Sequence, residues 1–146
     1  MTGSEGEPAA PPAFCLEYRA FCDTHRAGYL RYAQARIEDR HAARDCVDAV
    51  LDGVGACWPT LLGSERPAAR VWTDLRCATD HRTAAAHAAS GRFHAVLRSD
   101  QADIMVLHHG LDMPVGQAAG LMGLPDHEAH ALLRGAEREL KRLPDR

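Results

Sequence analysis

The sequence predicts an all-α protein made of two small helical domains joined by a linker. Three observations carry this reading. Apolar residues recur at spacings of three and four along most of the chain, the period of a helix that buries one face. β-branched residues are few, and no stretch alternates cleanly over six residues, so strand signals are nearly absent. The apolar stripes also fall into two groups, separated by an alanine-rich run over residues 83–89.

Residues 1–13 are rich in Gly, Pro, Glu and Ala and are expected to form a disordered tail. A first domain is expected over 14–82. Phe14, Tyr18, Phe21, Cys22, Tyr29, Ala33 and Ile37 form one stripe, with His25 filling the missing step. Asp39 suits an N-cap. A second stripe follows in Ala43, Cys46, Val47, Val50, Leu51, Val54 and Trp58. Two antiparallel helices joined over 38–41 fit this pattern. Val71, Trp72 and Leu75 predict a third helix against the pair. The run over 83–89 favours helix but has little to bury, so 83–92 is read as the linker.

The second domain is expected over 93–143. Ser99 can cap a helix whose first turn holds Asp100 and Asp103, favourable near the positive end of the helix dipole. Ile104, Leu107 and Leu111 make its buried side, and Gly110 suits the position just past its end. Pro114 opens the next helix, which runs to Met122 before Gly123, Leu124 and Pro125 break it. Ala129, Leu132, Leu133, Ala136, Leu140 and Leu143 share one face of a final helix.

Composition limits the function. The 146 residues carry a net charge of −3, with 46% hydrophobic and 25% charged residues, ordinary for a globular protein. The 16 arginines against one lysine and the 26 alanines fit a GC-rich bacterial genome. No apolar run approaches the roughly 20 residues that span a bilayer, and residues 1–13 have no signal-peptide pattern, so a cytoplasmic protein without membrane contact is expected. Five cysteines at 15, 22, 46, 57 and 77 have no Cys-x-x-Cys spacing and read as reduced core fillers. The charge is uneven: 63–92 is net +2, while 1–13, 14–62 and 93–146 are each net negative.

The last two helices hold the most informative pattern. Val115, Ala119, Gly123, Ala129 and Leu132 occupy the positions that lock the two helices of a helix-turn-helix, with Gly123 in the tight turn. An ordinary αα-corner would use the same spacing. From 97 on, the chain reads LRSDQADIMVLHHGLDMPVGQAAGLMGLPDHEAHALLRGA. This resembles, without a gap, the promoter-binding C-terminal domain (region four) of small sigma-seventy-type factors of the extracytoplasmic-function group. Leu97, Gln101, Asp103, Leu107, Gly123, Leu133 and Ala136 keep the family's residue or its close chemistry. Asp39, Ala43, Asp45, Val47, Val50, Leu51 and Trp58 resemble the family's helix of region two that docks on core RNA polymerase. The resemblance covers about 14–143.

The resemblance implies that Asp126, His127, Glu128, His130, Arg134 and Arg138 contact promoter DNA. It implies that Trp72 and Arg76 serve in the segment that reads and melts the minus-ten element, although Trp72 also suits a core. It places Asp45, Asp48 and Asp52 at the polymerase. The implied partners are RNA polymerase core, promoter DNA and an anti-sigma factor. Departures stand beside the matches. Asp48-Ala49 replaces a Gln-Glu pair, and Gly53 and Gly55 each weaken a helix by roughly 1 kcal/mol against Ala. Glu128 and His130 stand where the family has Thr and Lys, and Leu132 where it has Arg. Residues 126–138 are net −1, a poor sign for phosphate contact.

Nine histidines invite a metal reading, with His108-His109 and the His127/His130 pair as candidates. No Cys, Asp or Glu stands at ligand spacing beside them, so no metal is expected. No Ser-His-Asp order, phosphate loop or paired carboxylates stand out, and neither an enzyme nor a cofactor is expected. Two readings remain. The chain is a sigma-like transcription factor, or it is a degenerate sigma-fold protein that acts through protein contacts.

Overall fold

A computed structural model describes residues 12–86 and 93–143 of the chain. Every regular element among them is helical. Helix α1 spans Pro12–Arg36 and α2 spans Arg40–Ala56. Asp39 caps α2 as its spacing predicts, its carboxylate accepting from the His41 backbone N–H at 2.9 Å. The expected tail lies outside the described residues except for Pro12 and Ala13, where α1 already begins; proline suits that first turn.

The second stripe does not continue to Trp58 on one helix. The chain breaks at Cys57, and Trp58 starts the short α3, Trp58–Leu62. Pro59 has no N–H to give, so it forces α2 to stop and is tolerated in the first turn of a new helix. Helix α4 spans Pro67–Ala86. It therefore includes residues 83–86 of the expected linker, since alanine sustains a helix without burying anything. The rest of that linker, 87–92, lies outside the described residues.

Helix α5 spans Ser99–Met105, with Arg98 and not Ser99 at the cap. Ser99 is the first helical residue. The Asp100 carboxylate bonds the Gln101 N–H at 2.8 Å and serves the free end instead. α5 runs on through a wider, π-helical turn, Val106–Gly110. Gly110 closes that turn and does not lie past it; the left-handed residue is Asp112, at φ 56°. α6 spans Val115–Met122 and α7 spans Asp126–Arg142. Gly123, at φ 73°, makes the turn between them, as expected.

One apolar core serves both halves. Tyr29, Leu51, Val71 and Leu75 from the first half and Ile104, Leu107, Ala119 and Leu133 from the second belong to the same packed set. Two close approaches bring the halves together. A Cβ on Gly28 of α1 would lie 2.7 Å from the Leu121 side chain of α6. A Cβ on Gly123 would lie 2.2 Å from the Ala69 backbone nitrogen of α4, so the turn between α6 and α7 rests directly on the α4 backbone. Arg31 of α1 also donates to the Leu111 carbonyl at 2.6 Å.

Candidate nucleic-acid interface

Helix α7 lies on the core through Ala129, Leu133 and Ala136. At 100° per residue, the opposite ridge carries His127, His130, Arg134, Arg138 and Lys141, and all five are exposed. The acidic residues do not share this ridge. Asp126 and Glu137 flank it on one side, and Glu128 and Glu139 on the other. Three of these four are paired. Glu128 meets Arg66 at 3.3 Å, Glu137 meets His109 at 2.8 Å and Glu139 meets Arg142 at 3.2 Å. Residues 126–138 are net acidic by sequence, yet the outward ridge carries basic and imidazole groups. Net charge over 126–138 concealed this because it sums over all faces.

Of the residues expected at DNA, Asp126, His127, His130, Arg134 and Arg138 are exposed on α7. Glu128 is half-exposed and turned toward α4 through Arg66. Trp72 and Arg76 are elsewhere. Trp72 is 2% exposed. Its indole packs against Tyr32 with ring centroids 4.5 Å apart, and its Nε1–H donates to Asp103 at 2.9 Å. Arg76 donates to the same carboxylate at 3.2 Å and its side chain is mostly buried.

Asp103 is the residue that sequence reasoning missed. It was expected near a helix start, stabilised by the dipole. It is 0% exposed and accepts from four donors. These are Tyr32 Oη at 2.6 Å, His94 Nε2 at 2.7 Å, Trp72 Nε1 at 2.9 Å and Arg76 at 3.2 Å. Tyr32 in turn accepts from Arg36 at 3.0 Å, and Arg36 donates to Asp80 at 2.6 Å. Burial, and then the Asp103 charge, push the Tyr32 hydroxyl well above its ordinary value. A signal existed in the sequence: Asp103 stands within a run of apolar residues, Ala102 and 104–107, that leaves α5 no wet face beyond its first turn. Tyr32 and Arg36, at i+7 and i+11 from His25, mark a second buried edge of α1 that the single stripe overlooked.

The residues expected at the polymerase, Asp45, Asp48 and Asp52, share one face of α2. Asp45 and Asp52 are exposed, and Asp48 pairs with Arg26 at 2.7 Å. Gly55 beside them is not a mere weakness. A Cβ there would meet the Tyr18 ring at 2.8 Å, and Tyr18 donates to the Leu51 carbonyl at 2.5 Å.

Cys22 and Cys46 are buried as expected, but Cys57 and Cys77 are exposed, because each falls on the outer side of its turn or helix. The imidazole of His108 donates from Nδ1 to the Met113 carbonyl at 2.9 Å. Among the described residues, no three His, Cys, Asp or Glu side chains come together to hold a metal ion. No described helix is long and apolar enough to cross a membrane. No protein-family model, no curated protein and no solved structure matches the chain.

Proposed function

We propose that the protein is a sigma-like transcription factor that contacts promoter DNA through the outward ridge of α7 and core RNA polymerase through the acidic face of α2. The observation that carries this reading is the segregation of charge on α7. A second helix of a helix-turn-helix reads the major groove with the face opposite its core. Here that face offers Arg134, Arg138 and Lys141 to phosphates and His127 and His130 to base edges. Every acidic residue of the helix lies to one side or the other, most of them in ion pairs. The protein has no covalent step to perform; binding and positioning are the whole of its action. The test is co-elution of the purified chain with core polymerase at low salt. Retention supports the reading, and its absence contradicts it.

A second reading is favoured by the state of Trp72 and Asp48. Both belong to the expected sigma surfaces and both are engaged within the chain, Trp72 with Asp103 and Asp48 with Arg26. A protein acting only through protein contacts, as a regulator of a sigma factor or as an adaptor, would leave them so. The salt dependence of DNA binding separates the two. A DNA-binding α7 gives a clearly negative slope of log K against log salt, because phosphate contact releases counterions. A slope near zero, or no binding, selects the adaptor.

A further inference from the structure

We infer that Asp103 is a latch between the two halves of the molecule, and that an open state exists in which Trp72 and Arg76 are released to the surface. The argument starts from where the donors originate. Asp103 lies on α5, in the second half, and only His94 is its neighbour there. Tyr32 comes from α1, and Trp72 and Arg76 from α4. Three of the four bonds that satisfy this carboxylate therefore cross between the halves. A buried charge is tolerated only when such bonds are complete, since its desolvation alone costs several kcal/mol. Beyond the shared apolar core, the closed state is thus tied by one carboxylate that gathers donors from three separate parts of the chain.

The same chemistry makes opening accessible. An apolar contact gains nothing from water when it separates, whereas Asp103, Arg76, His94 and the Trp72 Nε1–H all recover hydration. That is why the net worth of an intramolecular hydrogen bond is small compared with its gross strength. The closed arrangement also leaves polar atoms unserved. His94 Nδ1, on the ring that bonds Asp103, and Arg36 Nε, on the residue that backs Tyr32, are buried without a partner. The cluster has a wet margin, where Arg76 and His94 are 18% and 10% exposed. On the α4 side of this margin runs a groove of about 470 Å³, with Trp72, Thr73 and Arg76 on one wall and Asp100, Glu128 and Leu132 on the other. Water or a partner reaches the latch along it.

The latch stands on this geometry alone. Only what the freed α4 face would contact, the minus-ten strand of a promoter, rests on the reading proposed above. The test therefore needs neither DNA nor polymerase. The chain has two tryptophans, and their indole N–H groups report separately by nitrogen-edited NMR. Trp72 bonds Asp103, while Trp58 lies in the core against Phe21 and Tyr18, away from the latch. Tyr32→Phe removes one donor but keeps the Trp72–Asp103 bond, so faster exchange at Trp72 reports opening where it stays ahead of the exchange that global unfolding gives Trp58. The expected result is a rise of roughly tenfold in the Trp72 exchange rate, the open population following the loss of one bond to a charged group. Trp58, freed only by global unfolding, should exchange more slowly than Trp72 in the native chain and in each variant. His94→Ala should give a change of the same sign, and Asp103→Asn a larger one. Should Asp103→Asn fail to fold, the other two variants carry the test. An unchanged Trp72 rate in Tyr32→Phe and His94→Ala overturns the proposal. Equal exchange rates at Trp58 and Trp72 in the native chain overturn it as well, because the Trp72 N–H would then be freed only by unfolding of the whole fold.

Discussion

Tyr18, Tyr29 and Tyr32 follow the inner side of α1, and all three hydroxyls are held in the neutral form. Burial pushes Tyr18 up to about 12, with the neighbouring Cys22 adding to the shift. Burial raises Tyr29 and Tyr32 further. In the unfolded chain each ionises near its ordinary value of about 10. Above that pH the native state holds more protons than the unfolded state, so stability falls as pH rises. The contribution is fully present below about pH 10 and is lost as pH climbs through the folded values. Tyrosinate absorbance should therefore appear together with loss of helix in an alkaline titration; absorbance that develops at about pH 10 with the helices intact would contradict the burial of these rings. A second expectation at this scale concerns Tyr32→Phe, which withdraws a donor from the buried Asp103 carboxylate. It should destabilise the protein by about 1.5–3 kcal/mol in urea unfolding, the range for a bond to a charged group. The stripe of α1 was legible because periodicity reveals apolar faces. The role of Asp103 was not, because a carboxylate finds its partners across the fold, and the residues that serve it stand 9 to 71 positions away.

Glycines decide several of the helix contacts, and they divide by what surrounds them. Gly53 lies exposed within α2 with nothing near a would-be Cβ. Gly53→Ala should stabilise the protein by about 0.5–1 kcal/mol through helix propensity alone. Gly123 is the opposite case. Its φ of 73° strains any L side chain, and the Ala69 backbone stands where the methyl would go. Gly123→Ala should therefore destabilise by more than about 2 kcal/mol, since the left-handed cost of roughly 1–2 kcal/mol is joined by displacement of α6 from α4. Thermal unfolding of the two variants side by side checks both signs; a shift in the same direction for both would refute the assignment. At this scale the sequence was informative. Asp39, Pro114 and Gly123 mark helix ends because capping and turn chemistry are local. Three ends were misplaced, two of them for local reasons, the missing N–H of Pro59 and the helix propensity of alanine. These are the break at Cys57, the π-helical turn after Met105 and the continuation of α4 to Ala86.

Among the described residues, the two halves of the chain share one core and meet through the Gly28–Leu121 and Gly123–Ala69 approaches and the Asp103 cluster. The all-α class was legible from period and composition. The packing of one half on the other was not, because periodicity shows which faces are apolar but not which faces meet, and the polar and glycine residues at the contact leave no stripe. The same limitation applies to α7. The net charge over 126–138 argued against DNA, while the faces of the helix, once placed, put the basic residues outward and the acidic ones aside. Arg134→Ala with Arg138→Ala should weaken DNA binding on all sequences alike and reduce the salt slope by about one for each arginine. Glu128→Gln, which removes only an exposed pair with Arg66, should leave the thermal unfolding midpoint essentially unchanged. The most direct measurement is transcription reconstituted from core RNA polymerase, genomic fragments and this chain. Transcripts with defined start points are expected, and they should disappear when Arg134 and Arg138 are both alanine. Start points no different from those of core polymerase alone would contradict the sigma-like reading.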